Sequence, residues 1–253
     1  MTGTGRLIRL ILRRDRWLLP LWVIVIGLLP MTYVTSFRSL FPTAADLQRY
    51  ADSSMNSSAF VSLYGRLTGP SLGELASWRA GFIPVVVALF SLLTVIRHTR
   101  TEEESGRREL IGSTVVGRHA GLAAALVTTC VANLVLALVV AVTMAGQGVP
   151  AAGGLALGLE FAIAGCVFAA VGAVAAQLTP GAGGARGVAI IALGIAYVLR
   201  VVGDLSGLAG VRCPGSRGCR RWVWPSGSTR SAGSAGGCSP SRPRSPRCSA
   251  RWP

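Results

Sequence analysis

Apolar residues in this chain are grouped into uncharged runs whose length matches a lipid bilayer. A hydrocarbon core about 30 Å thick requires roughly 20 apolar residues in a helix that rises 1.5 Å per residue, and about 17 is a practical minimum. Five runs meet or approach that length, at residues 17–37, 80–96, 120–145, 155–177 and 187–202. The pattern predicts an all-α fold, a polytopic bundle with about five membrane-spanning helices in residues 17–203.

The runs at 120–145 and 155–177 are rich in Ala, Gly, Ser and Thr. Small residues allow the backbones of membrane helices to approach closely, so these two helices are predicted to lie inside a packed bundle. Pro20 and Pro30 fall in the first run, and a packed membrane helix tolerates proline because neighbouring groups satisfy the freed carbonyls.

The arginines predict how the chain is oriented. They cluster before the first run and between the second and third, whereas residues 146–154 carry no charge and residues 38–79 mix four Arg with three acids. Short cytoplasmic loops retain arginine, so the N-terminus and residues 97–119 are expected in the cytoplasm of a multi-pass cell-membrane protein. The first run is interpreted as a retained anchor, since no small-x-small cleavage site directly follows Leu29.

Residues 1–16 form a separate cytoplasmic segment in which arginine recurs at helical spacing. At helical spacing the basic residues lie opposite the apolar ones. The basic residues are Arg6, Arg9, Arg13 and Arg16, and the apolar residues are Leu7, Ile8, Ile11 and Leu12. This pattern is typical of an amphipathic helix lying on the inner leaflet. A plain cluster of topogenic charge accounts for the same residues equally well, and both interpretations stay open here.

Composition removes several functional classes. The chain is 51% apolar and 14% charged, with a mean hydropathy of +0.54, whereas a soluble domain carries about 25% charged residues. All 25 basic residues are arginine. A chain without lysine contains no Walker A loop, so ATP hydrolysis by that route is excluded.

The net charge of +15 is concentrated at the C-terminus. Residues 1–210 hold 16 Arg and all 10 acids, whereas residues 211–253 hold nine Arg, no acid and no Leu, Ile, Met, Phe or Tyr. No compact core can form from that composition, and residues 204–253 are predicted to be a disordered tail. We favour an out-of-frame reading of a GC-rich gene from near residues 205–212, and the alternative is a basic arm for nucleic acid or anionic lipid anchored by Trp222 and Trp224.

Residues 97–119 are the most charge-dense stretch of the membrane region. Glu103 and Glu104 precede Arg107 and Arg108 by four positions, the favoured orientation for helical ion pairs, and Gly106 lies between them. The stretch therefore predicts a short, interrupted helix. A solvated loop that only fixes topology is the alternative.

The stretch 97–120, together with residues 63–79 (LYGRLTGPSLGELASWR), resembles the N-terminal half of actinobacterial permeases of type 2 ABC exporters for polyketide antibiotics, over residues 6–210. Those permeases are usually longer, with further spanning helices. The resemblance implies that a separate cytoplasmic ATPase docks on this loop. Its contact residues would be Arg100, Glu102, Glu103, Glu104, Gly106, Arg107, Glu109 and Leu110.

The membrane region offers few groups for chemistry. His98 and His119 are the two histidines, both beside arginine at predicted helix ends, and we expect them at headgroup level rather than in catalysis. No metal or cofactor site is expected, and ATP would be used by the partner subunit. Glu160 and Asn133 are candidates for a substrate path, because polar groups inside a membrane usually face a cavity or a partner. A shallow position for Glu160 and helix packing for Asn133 are the simpler interpretations.

These expectations combine into one hypothesis, a permease subunit without its own ATPase site that exports antibiotics or other hydrophobic compounds. Its partners would be the ATPase, the bilayer, a drug-like substrate and either a second copy or a second permease half, with no nucleic acid. The alternatives are a truncated, nonfunctional fragment and, less favoured, a membrane-embedded enzyme.

Overall fold

The computed structural model describes residues 4–104 and 120–208. Within these ranges every regular element is a helix, and the predicted all-α class is confirmed. The elements are α1 (Thr4–Arg14), α2 (Leu18–Leu40), α3 (Ala44–Met55), α4 (Ser58–Tyr64), α5 (Leu72–Arg79), a 3-10 turn (Ala80–Phe82), α6 (Ile83–Glu104), α7 (Ala120–Gly146), α8 (Ala151–Leu178) and α9 (Ala182–Leu208).

Five stretches of the described chain are long and apolar enough to cross a membrane. They are Leu18–Leu40, Leu72–Arg100, Ala120–Gly146, Ala151–Leu178 and Ala182–Leu205. The second stretch joins α5, the 3-10 turn and α6 in one continuous path. The chain is therefore a multi-pass membrane protein.

The helices run beyond the bounds that the uncharged runs predicted. The second run was expected to end at residue 96, but α6 continues to Glu104, and α9 covers Ala182–Leu208 instead of 187–202. Residues 204–208 therefore belong to a helix and not to the predicted tail, whose remainder lies outside the described residues. The physical reason is that a helix ends where its backbone bonding ends, whereas arginine at its ends can extend to the bilayer surface without breaking it.

Helix α8 lies at the centre of the bundle and packs mainly on α7 and α6. Three of its glycines, Gly158, Gly165 and Gly172, face these neighbours so closely that an added side chain would collide. A Cβ on Gly158 would overlap the carbonyl oxygen of Ala137 in α7, and a Cβ on Gly172 would lie 2.9 Å from the carbonyl oxygen of Leu92 in α6. The small residues predicted to bring these helices together do so at these crossings.

Helix α2 closes one side of the bundle through larger side chains. The rings of Trp22 in α2 and Phe90 in α6 lie 4.8 Å apart between centroids. Around them Leu136, Val140 and Phe161 form a fully buried apolar cluster. Pro30 lies inside the unbroken α2 and is itself buried, as expected for proline in a packed membrane helix.

The two ends of the bundle differ in structure. The α1 end holds α1, which packs on α7, together with the last turns of α6 and the turn between α8 and α9. The α3 end holds residues 41–82 and the turn between α7 and α8. There Arg38 donates to the carbonyl oxygen of Gln147 at 2.7 Å, and Trp78 donates to that of Gly65 at 2.8 Å.

Two short helices at the α3 end begin with side-chain caps. Ser71 and Glu74 form a capping box that starts α5. Thr43 caps α3 by accepting from the backbone N–H of Asp46, and its hydroxyl donates to the Asp46 carboxylate at 2.6 Å. That hydrogen bond is the main cause that lowers the pKa of Asp46 below its ordinary value. These caps define where α3 and α5 begin at the α3 end of the bundle.

Candidate functional site

A buried acid lies at the α1 end, where the chain turns from α1 into α2. The side chain of Asp15 is 1% exposed. One of its carboxylate oxygens accepts from Nη2 of Arg97 at 3.0 Å, and the other lies 2.6 Å from Nε2 of His98. We call these three residues the Asp15 cluster.

Helical spacing in α1 and the position of Arg97 and His98 in α6 explain why the three side chains meet. Ile8, Ile11 and Asp15 follow one another at helical spacing, and Ile11 is buried against the bundle, so Asp15 lies on the inward side of the α1–α2 junction. Arg97 and His98 are consecutive in α6, seven and six residues before its C-terminal Glu104. The cluster therefore ties two segments that are 82 and 83 positions apart in the chain.

The same turn of α6 also reaches α8. The guanidinium of Arg100 donates from Nε to the carbonyl oxygen of Ala176, near the C-terminal end of α8. Thr99, between these residues, is buried and donates to the carbonyl oxygen of Val95 within α6. Residues 97–100 thus contact the α1–α2 junction on one side and α8 on the other.

This arrangement is suited to holding helices together and not to bond-making chemistry. A carboxylate with two basic partners is already satisfied in charge and in hydrogen bonds. Among residues 4–104 and 120–208, no group of three or more His, Cys, Asp or Glu side chains could hold a metal ion. The cluster acts as a buried polar joint.

His98 lies near a helix end, as predicted, but it is buried within the protein. It is 4% exposed, because Asp15 supplies a carboxylate inside the fold that the sequence pattern did not connect with it. His119 lies outside the described residues. The signal for Asp15 was present, since it is the one acid among the arginines of residues 6–16 and continues the apolar spacing of Ile8 and Ile11.

The predicted coupling residues divide between the described chain and the rest. Arg100, Glu102, Glu103 and Glu104 occupy the last turns of α6. The remaining four lie outside the described residues: Gly106, Arg107, Glu109 and Leu110. The structure brings Arg100 against α8, and the three glutamates follow directly on the same helix.

The two predicted substrate-path residues lie in different surroundings. Asn133 is fully buried in α7, where its Nδ2 donates to the hydroxyl of Ser91 in α6 at 3.1 Å and Gly165 of α8 leaves the space for it. Glu160 lies half-buried in α8, nearer the α3 end. The hydrogen bond between α6 and α7 agrees with the packing interpretation of Asn133, and the sequence analysis did not identify Ser91 as its partner.

Comparison with known proteins adds the evolutionary context. No protein-family model matches the chain. Over 204 residues the sequence is 45% identical to the multidrug efflux system permease protein of Mycobacterium tuberculosis, and the match covers 80% of this chain. The chain is homologous to an actinobacterial efflux permease. The predicted resemblance to actinobacterial ABC exporter permeases is thereby confirmed.

The match covers 37% of the Mycobacterium protein, so this efflux-permease homologue spans little more than a third of its relative's length. The five membrane-spanning stretches agree with the word permease in the relative's name. The Asp15 cluster and the last turns of α6 lie at one end of this five-helix bundle.

Proposed function

We propose that this chain is a membrane-spanning permease subunit of an ATP-driven exporter of antibiotics or other hydrophobic compounds. The observation that carries the proposal is the 45% identity to a multidrug efflux permease across four fifths of the chain. The five-helix bundle supports it. The 253 residues contain no lysine and therefore no Walker A loop, which favours an ATPase on a separate subunit.

The ATPase is proposed to bind at the α1 end. Arginine clusters there, in α1 and along residues 97–118, which favours a cytoplasmic location for this end and for the N-terminus. Helix α6 continues past its apolar part to Glu104, so its last turns extend toward the aqueous side. Glu102, Glu103 and Glu104, with the loop that follows, would contact the ATPase.

Transport requires that ATP binding favour one of two conformations of the bundle, because a ligand shifts an equilibrium only through its different affinity for the two states. Closure of the ATPase would displace the last turns of α6 and alternate the access of the bundle to the two membrane faces. Glu160 is proposed to line the substrate path. Asn133 would join that path only in a conformation in which α7 and α8 separate, since Gly165 covers it here.

Charge reversal tests the coupling proposal. The double substitution Glu103→Arg with Glu104→Arg should leave membrane insertion unchanged but lower drug-stimulated ATP turnover at least about tenfold, because electrostatic contacts with the partner reverse sign. The control is Asp52→Arg, an exposed acid at the α3 end. Turnover of the ATPase that co-purifies with the tagged chain is measured. Equal turnover in the double variant and the wild type would contradict the assignment.

Sidedness provides a test that does not depend on the ATPase. Thr101→Cys on α6 should resist a membrane-impermeant maleimide in intact cells, whereas Ser53→Cys on the exposed side of α3 should react. Labelling of both positions after permeabilisation is the control. Rapid labelling of position 101 in intact cells would place the last turns of α6 on the outer side of the membrane, where no cytoplasmic ATPase could bind them. That result would overturn the proposed function.

A further inference from the structure

Asp15 closes one helix and opens the next. Its backbone N–H donates to the carbonyl oxygen of Ile11 at 2.9 Å, and its own carbonyl oxygen accepts from Leu19 at 2.9 Å. The side chain of Asp15 therefore projects from a junction that is held on both sides by helical hydrogen bonding. Any force on this carboxylate acts on α1 and α2 together.

The partners of Asp15 are also fixed. Arg97 and His98 are consecutive residues in the last two turns of α6, and the His98 side chain is 1% exposed. The 2.6 Å contact between Asp15 and His98 lies in a water-poor site, whereas the Arg97 side chain, 3.0 Å from the carboxylate, is 37% exposed. Removal of either partner leaves the buried carboxylate less well compensated. Arg14 and Arg16 flank Asp15 in sequence but are exposed. The cluster thus connects two rigid backbones through one carboxylate.

We propose that Asp15 is a positioning residue that makes the α1–α2 junction move with the last turns of α6. The inference rests on the proposed function, in which an ATPase acts on those turns. Displacement of Glu102–Glu104 would then carry the arginine-bearing α1 with α6 instead of leaving it on the membrane surface. Because Arg100 bonds to α8 from the same turn, the whole α1 end would respond as one unit.

The first test compares two isosteric charge removals. Asp15→Asn keeps the shape of the side chain but removes its charge, and Asp52→Asn does the same at an exposed position of the α3 end. Membrane level, co-purified ATPase and drug-stimulated ATP turnover are measured for the full chain. We expect Asp15→Asn to retain the first two within about twofold and to lose stimulated turnover by about tenfold, within the usual range for coupling between sites. Asp52→Asn should retain all three.

A purely structural role for Asp15 would give a different result. Membrane level, ATPase binding and turnover would then fall in parallel, or turnover would be unchanged, and either result would overturn the proposal. Asp15→Glu, which keeps the carboxylate, should recover turnover to within about threefold of the wild type if the carboxylate contacts with Arg97 and His98 are what matters.

A reversible covalent link keeps the proposal testable even if Asp15→Asn accumulates poorly. Asp15→Cys is combined with His98→Cys in a chain whose native cysteines are replaced by alanine, and a short bis-methanethiosulfonate reagent joins the two thiols. Stimulated turnover should be low before linking, rise at least about fivefold on linking and fall again on reduction. Unchanged turnover on linking would overturn the positioning role.

Failure of the proposed function would look different from failure of this inference. If the wild-type chain recruits no ATPase and stimulates no turnover, the proposed function fails and this inference fails with it. If the wild type is stimulated and Asp15→Asn is stimulated equally, the proposed function stands and the role of Asp15 alone is overturned.

Discussion

Helices α8 and α9 are both long, apolar and rich in glycine, yet α8 lies at the centre of the bundle and α9 at its periphery. Half of the span in α8 is buried within the described structure, against 11% of the span in α9. Four of the five glycines in α8 face backbone or buried side chains of α6 and α7, whereas a Cβ on Gly183, Gly187 or Gly194 in α9 would meet nothing within 4 Å. Composition thus predicts that a helix spans the membrane. Whether the helix packs at the centre of the bundle depends on whether its small residues face the neighbouring helices.

The comparison also shows how α9 is attached. In its first half, Ala185, Ala189 and Leu193 pack on Ala88, Leu92 and Ile96 of α6. In its second half, the hydroxyl of Tyr197 donates to the carbonyl oxygen of Ser62 in α4 at 3.3 Å. Its remaining surface is apolar and exposed in this chain, as expected for a helix that contacts lipid or further helices. Helix α8 is held by close packing, and α9 by fewer contacts.

The largest expected effect is that a Gly→Ala substitution lowers the free energy of unfolding in α8 but not in α9. Gly158→Ala should lower the free energy of unfolding by about 1–3 kcal/mol, because the added methyl overlaps the carbonyl oxygen of Ala137. Gly194→Ala should leave it unchanged or raise it by up to about 1 kcal/mol, because alanine favours the helix and the site is open. Denaturation by SDS in mixed micelles measures both. Equal effects would show that α8 and α9 are not packed as described.

A smaller effect is expected for the polar contact that α8 covers. Asn133→Ala and Ser91→Ala should each destabilise the bundle, and the double variant should reveal a coupling of about 0.5–1.5 kcal/mol, the usual value for hydrogen bonds between membrane helices. The same SDS titration gives the double-mutant cycle. A second cycle with Cys130→Ala and Thr143→Ala on the same helix serves as the control. A coupling near zero at Asn133 and Ser91 would contradict the described hydrogen bond.

The smallest effect concerns the attachment of α9. Tyr197→Phe removes a hydroxyl whose hydrogen bond is long and part-buried, so we expect a loss of about 0.5 kcal/mol in the free energy of unfolding. Local protection of α9 amides against hydrogen exchange should fall more than that of α8 amides. A uniform loss of protection in both helices would mean that α9 is as integral to the core as α8.

Much of the fold could be predicted from the sequence, because spanning helices depend on local length and apolarity. Residues 120–145 were predicted as a helix, and the structure has Ala120–Gly146. The end of α6 could not be predicted in the same way, because a charged residue ends an uncharged run but does not end a helix. Arg97 and His98 lie within the helix, and a carboxylate distant in the sequence pairs with both of them.

The candidate site was harder to predict for a similar reason. Asp15 differs from its neighbours only by its sign of charge, and its burial depends on residues 82 and 83 positions away. The pairing of Asn133 with Ser91 spans 42 positions and depends on the absence of a side chain at Gly165. Sequence spacing within one helix carries no record of such partners. The residues of the predicted coupling loop were identified by resemblance, and their contact with an ATPase remains a prediction.

The path from Leu72 to Arg100 crosses the bundle without interruption. At 1.5 Å per residue its 29 residues span about 44 Å, so a tilt of about 5° around one end would shift the other end by about 4 Å. One end begins beside the capped start of α5, and the other carries the partners of Asp15. If the path moved as a rigid lever, displacement of its start at the α3 end would displace the partners of Asp15 at the α1 end.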